Sequence, residues 1–96
     1  MLSLTLSVPL AALVPKREQA GAGTRYTTSL EASSWAEAIA EIRRRFPVLA
    51  ERVLAQDGTV CGGFVLVVND EVAPRGSVPQ VRQGDELALI AQIAGG

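Results

Sequence analysis

Histidine is absent from this 96-residue chain. Its absence removes the commonest general base and the commonest metal ligand. Cysteine is nearly absent: Cys61 is the single one, too few for a zinc site or an internal disulfide, which points to a reducing, cytoplasmic setting. No Walker-type loop and no G-x-G-x-x-G stretch occurs, so the usual phosphate cradles of nucleotide enzymes are missing. A strong charge of either sign is missing too. Nine Lys and Arg stand against ten Asp and Glu, a net charge of −1, which gives no general attraction to nucleic acid or to an anionic membrane. No apolar run approaches the roughly 18 residues of a membrane span. The opening MLSLTLSVPL alternates and has no basic region, so it does not read as a signal peptide. An enzyme built from these residues would have to work with carboxylates, lysine or one thiol, and the expectation is a protein that is not itself an enzyme.

What is present describes one globular domain, with 48% apolar and 20% charged residues. Leu2, Leu4, Leu6 and Val8 alternate with Ser3, Thr5 and Ser7, predicting a strand over 2–8 with one face in a core. RYTTSL at 25–30 predicts a second strand after the polar, glycine-bearing loop at 16–24. The period then changes. Ser34 and Glu37 form an S-x-x-E capping box, and Trp35, Ile39, Ile42 and Phe46 recur at helical spacing, predicting a core-facing helix from 35 to 46. Pro47 stops that helix and suits the first turn of a short second one, PVLAERVL. FVLVV at 64–68 reads as a strand buried on both faces. An Asn-Asp turn, a short edge strand at 71–72, a Pro- and Gly-marked loop, a QGDE turn and a last strand over 86–93 follow. The order predicts an α+β roll: a mixed four- to five-stranded sheet crossed by one main helix, with the first and last strands as central neighbours.

Three features invite chemistry and have plainer readings. Arginines 43–45 fan round a helix at about 100° per residue, so they are read as a solvated face and not a nucleic-acid patch. Cys61 has no His or Lys beside it in sequence to activate it, and Gly62-Gly63 before a strand reads as a turn or bulge. The acid pairs Asp70-Glu71 and Asp85-Glu86 sit in turns, whose chemistry explains the aspartates.

The chain ends on LALIAQIAGG. With the last strand feeding straight into AGG, residues 1–93 are expected to form the folded domain and 94–96 a flexible tail. Ile93 reads as the last side-chain anchor. Ala94 and Gly95 taper the thread, and glycine lets a main chain pass where a side chain would not.

The order of elements, FVLVVND, QGDELALI and the terminal IAGG together resemble the MoaD/ThiS/CysO-type ubiquitin-like sulfur carriers, over essentially the whole chain. The resemblance implies a β-grasp fold. It implies that Gly96 is adenylated with ATP by an E1-like activating enzyme of the MoeB/ThiF type, and that sulfur replaces the adenylate to give a covalent thiocarboxylate. Gly95 and Ala94 would then give flexibility and access to the partner's active site, with Ile93 as a possible partner contact. A sulfur-accepting biosynthetic enzyme is the second implied partner, molybdopterin being the first choice of product, with cysteine, thiamin or a secondary metabolite as others. Neither nucleic acid nor membrane is an expected partner. The residues leave two rival readings open: a ubiquitin-like modifier joined to lysines through Gly96, and a β-grasp binding module that carries nothing.

Overall fold

The computed structural model describes residues 1–15, 25–74, 76 and 78–91. Strand β1 (Leu2–Leu6) leads into helix α1 (Val8–Ala11), and strand β2 (Tyr26–Leu30) precedes helices α2 (Trp35–Arg45) and α3 (Pro47–Val53). Strands β3 (Phe64–Val68), β4 (Glu71–Val72) and β5 (Glu86–Ala91) complete the order. The sheet runs β2-β1-β5-β3-β4. β5 lies in its middle, parallel to β1 and antiparallel to β3, so the first and last strands are the central neighbours that the alternation predicts.

One face of the sheet is covered. Leu2, Leu4, Leu6, Leu66, Leu87 and Leu89 meet Trp35, Ile39, Ile42, Phe46, Leu49 and Val53 there, every one of them buried. All four apolar positions that define the period of α2 are therefore core. At its start Ser34 Oγ accepts the Glu37 N–H at 3.2 Å. The return bond of the capping box lands one residue early, with Glu37 Oε1 accepting from Ser33 N at 2.8 Å and Ser33 Oγ at 2.9 Å. Phe46 ends α2 with φ −130° and caps α3, which Pro47 opens. Trp35 Nε1 donates to Gly58 O at 2.9 Å and ties the loop after α3 to α2. Gly58 has φ +87° there, a conformation glycine adopts without strain.

Three expectations need correcting. β1 stops at Leu6, and Val8, expected on the core face, opens α1 and is exposed. That short helix is a third where two were expected. β3 is not buried on both faces: Leu66 alone is buried and its neighbours are half-exposed, because the helices cover one side of the sheet only. The loop expected at 16–24 lies outside the described residues.

Candidate functional site at the end of the central strand

β5 is pinned at its start by two turns that lock together. Asn69 (φ 49°) and Asp70 (φ 70°) form a two-residue left-handed turn between β3 and β4, the geometry that hairpins favour and that Asn and Asp tolerate. Asn69 Nδ2 donates to Asp85 Oδ1 at 3.0 Å, and Asn69 Oδ1 accepts the Glu86 N–H at 2.9 Å. Asp85 Oδ2 accepts the Arg82 N–H at 2.9 Å. These bonds, the Asn69 amide first and the Arg82 N–H second, hold the Asp85 carboxyl below the usual carboxylate range. Gly84 N–H donates to Met1 O, and Ser3 N–H to Asp85 O, so the QGDE turn is also tied to β1. Asp70 and Asp85 are turn residues, as the sequence implied.

At the other end the last described residue of β5, Ala91, pairs with Phe64 across β3. On the β1 side Ser7 N–H donates to Leu89 O at 3.0 Å, and Ser7 Oγ accepts the Ala91 N–H at 3.2 Å. Ile93, Ala94, Gly95 and Gly96, the residues expected to act, lie beyond this point and outside the described residues.

The open face of the sheet divides in two. Over β1 and β2 it is polar, with Thr5 Oγ1 bonded to Thr27 Oγ1 at 3.1 Å and Ser3 opposite Ser29. Over β5, β3 and β4, past the exposed Glu86 at the start of β5, it is apolar: Ala88 pairs with Val67, Ile90 with Val65, and Val67 with Val72. Ile90 is 41% exposed and Val72 67%. A hollow of about 220 Å³ lined by Thr5, Ser7, Arg25, Ala88, Leu89 and Ile90 lies where these halves meet beside the end of β5. A cleft of about 330 Å³ runs along the far side of β3, with Cys61, Phe64, Val65, Val72 and Pro79 in its wall.

The remaining candidates have structural work. Arg43 donates to Ala55 O at 3.0 Å, Arg44 pairs with Glu41, and Arg45 donates to Ser29 O at 2.7 Å while lying over the Phe46 ring. Arg44 and Arg45 both reach Glu41, whereas Arg43 turns to the loop after α3, so all three are engaged within the domain. The Arg44 bond holds the Glu41 carboxyl below its ordinary range, with smaller help from the Glu31 N–H and Arg45. Cys61 is half-buried, and its N–H donates to Val53 O at 2.7 Å. Gly62 and Gly63 make the turn into β3, Gly63 with φ +93°. Among the described residues no three His, Cys, Asp or Glu side chains come together to hold a metal ion, and no helix is long and apolar enough to cross a membrane. Sequence reasoning did not single out Ile90, Val72, Ser7 or Arg25. The available signal was ELALIA, which is apolar at Ala88 and Ile90 as well as at the core positions Leu87 and Leu89.

The sequence profile of the ThiS family matches residues 13–96, which is most of the chain. The chain belongs to the ThiS family. That membership bears out the resemblance to MoaD/ThiS/CysO-type ubiquitin-like carriers, and solved structures bear out the β-grasp fold. SAMP1 from Haloferax volcanii is 25% identical, with a TM-score of 0.62 over 99% of this chain and 98% of its own. CysO in the Amycolatopsis orientalis BexX/CysO complex shares the fold at 21% identity and a TM-score of 0.64, covering 97% of this chain and 99% of that one. Mycobacterium tuberculosis CysO does so at 18% and 0.63, covering 94% and 99%. No curated protein matches the chain.

Proposed function

We propose that this ThiS-family chain is a sulfur carrier that is charged at the Gly96 carboxylate. The observation that carries the proposal is the placement of β5. A strand bonded on both sides in the middle of the sheet leads, after Ala91, into the five residues QIAGG. A carboxylate is a poor electrophile, because attack places a second negative charge beside the first. In the proposed charging step a Gly96 carboxylate oxygen attacks the α-phosphorus of ATP in an E1-like activating enzyme and pyrophosphate leaves. A sulfur nucleophile at the oxidation level of hydrosulfide then adds to the acyl carbon, and AMP leaves with the bonding electron pair. The thiocarboxylate product is the sulfur donor for an acceptor enzyme. Five residues extend at most about 17 Å, so Gly96 reaches into a partner's active site while the domain stays outside. The partner supplies the adenylation machinery.

The apolar half of the open face, Val65, Val72 and Ile90, is the proposed docking surface, since exposed apolar patches beside a reacting group mark partner contacts. Ile90→Asp places a charge on that patch and is expected to raise KM for the activating enzyme roughly tenfold without unfolding the domain. ATP–pyrophosphate exchange by an activating enzyme, measured with and without the chain, tests the charging step. Exchange that requires the chain and is lost on removing Gly96 supports it, and exchange indifferent to the chain contradicts it. Gly96→Ala is expected to slow exchange more than Gly95→Ala, because its methyl stands beside the reacting carbonyl. Equal rates for both variants and the parent would contradict that ranking.

A second reading has its own observation. A Haloferax volcanii neighbour at 24% identity and a TM-score of 0.59, covering 96% of this chain and 97% of its own, is named a small archaeal modifier protein. A modifier uses the same activation and then joins Gly96 to a lysine amine. A ladder of conjugates formed with lysate and ATP, and lost with Gly96, would select it over the carrier. Molybdopterin remains the first proposed product of the carrier, tested by whether the thiocarboxylated chain restores sulfur insertion in a molybdopterin-forming extract.

A further inference from the structure

Where β1 gives way to α1, the hydrogen-bond ladder of the central strand pair changes hands. Along the parallel β1/β5 pair the ladder keeps one register: Ser3 N–H bonds Asp85 O, and four residues on in each strand Ser7 N–H bonds Leu89 O. Continuation of a parallel ladder would next bond the Ala91 N–H to the Ser7 main-chain carbonyl. That carbonyl is engaged elsewhere. It accepts from Leu10 N at 2.9 Å and Ala11 N at 2.8 Å, closing the first turn of α1. The Ser7 hydroxyl takes its place and accepts the Ala91 N–H at 3.2 Å.

Ser7 occupies the N-cap of α1 (φ −64°, ψ 162°), where a serine ordinarily bonds the helix's own N–H groups. Its side chain makes no such cap bond. Val8 and Pro9 are the first two helical residues, and Pro9 has no N–H to offer. The hydroxyl is thereby free to face β5. One residue thus closes a helix with its carbonyl and holds the last described residue of the central strand with its side chain.

We infer that Ser7 is a positioning residue for the carrier reaction, fixing the point from which the five residues to Gly96 depart. The inference rests on the proposed function. Without the hydroxyl, Ala91 keeps its pairing with Phe64 but loses its tie to β1, and the terminus is presented from a less defined origin. Productive geometry in a transfer reaction is sensitive to such misplacement.

The test compares the parent with Ser7→Ala and Ser7→Thr. In the isolated domain, amide exchange of Ala91 is expected to quicken in S7A and to return toward the parent rate in S7T, whose hydroxyl can accept the same bond. With a competent activating enzyme, S7A is expected to lower kcat for adenylation roughly 3- to 10-fold, with KM unchanged because the docking face is intact. S7T is expected to recover it. A merely structural role would lower the melting temperature and leave kcat per folded molecule unmoved. Equal Ala91 exchange in all three proteins, or equal kcat in S7A and the parent, overturns the inference. A parent that no competent activating enzyme adenylates overturns the proposed function instead, and Ala91 exchange still decides whether Ser7 holds the strand.

Discussion

The two ends of β5 are built differently. At its start Asn69 and Asp85 bond each other and the backbone of Glu86 and Arg82, while Met1 O and Ser3 N–H add ties from β1. At its finish, Ala91 has its pairing with Phe64 and one serine hydroxyl. Among the described residues, the start is held by side chains in two interlocked turns, the finish by the pairing with Phe64 and the two bonds of Ser7. In the proposed carrier the chemistry lies beyond the finish.

The largest expected effect comes from removing what both ends share. Leu89, 1% exposed, lies between Leu6 and Leu66 in the sheet, and Leu89→Ala should destabilise the domain by about 2–5 kcal/mol, measured by denaturant unfolding. A smaller effect would mean that the helices relax into the space. Next comes the start of the strand. Asn69→Ala removes two bonds and puts alanine at φ 49°, for a loss of about 1–2 kcal/mol. Asn69→Gly keeps the backbone relaxed and should recover part of it. The comparison sharpens in activity: the Asn69 variants should lower stability and spare kcat, whereas S7A should do the reverse. If both variants changed stability and kcat together, the two ends would not be distinct.

The smallest effect is on pH. The folded-state pKa of Asp85 is depressed by Asn69 and the Arg82 N–H. Its contribution is therefore complete above the ordinary aspartate value and is lost as pH falls through the lower folded value. Glu37 and Asp57 are depressed by bonds from Ser33 and Thr59 respectively and act in the same direction. With no histidine in the chain, no imidazole titrates between about pH 5.5 and 7.5. Thermal stability should be flat across that window and fall below about pH 4. A step near pH 6.5 would contradict this assignment.

Much of the body was legible in the residues. Helical spacing exposed Trp35, Ile39, Ile42 and Phe46 as core, Pro47 separated two helices, and period two in LSLTL and ELALIA marked the central strands. FVLVV misled because an apolar residue on an open sheet face looks the same in sequence as one under a helix; only the cover distinguishes Val65 from Leu66. Val8 continued the alternation of β1 and hid the turn into α1, although Ser-Val-Pro is a fair helix start. The bond from Ser7 to Ala91 joins residues 84 positions apart and follows from register, which one-dimensional pattern does not carry. Gly96, Gly95, Ala94 and Ile93 stand out in the sequence by residue type and by their place just after the last strand.

The most direct test is the mass of the C-terminal peptide after incubation with ATP, an activating enzyme and a sulfur donor. The peptide must be isolated, because oxidation of Met1 or Cys61 changes the intact mass by nearly the same amount as exchange of oxygen for sulfur. The carrier account predicts one sulfur in place of oxygen at Gly96, absent when Gly96 is deleted. An unchanged peptide with several competent activating enzymes would contradict it and leave a β-grasp domain that binds without carrying.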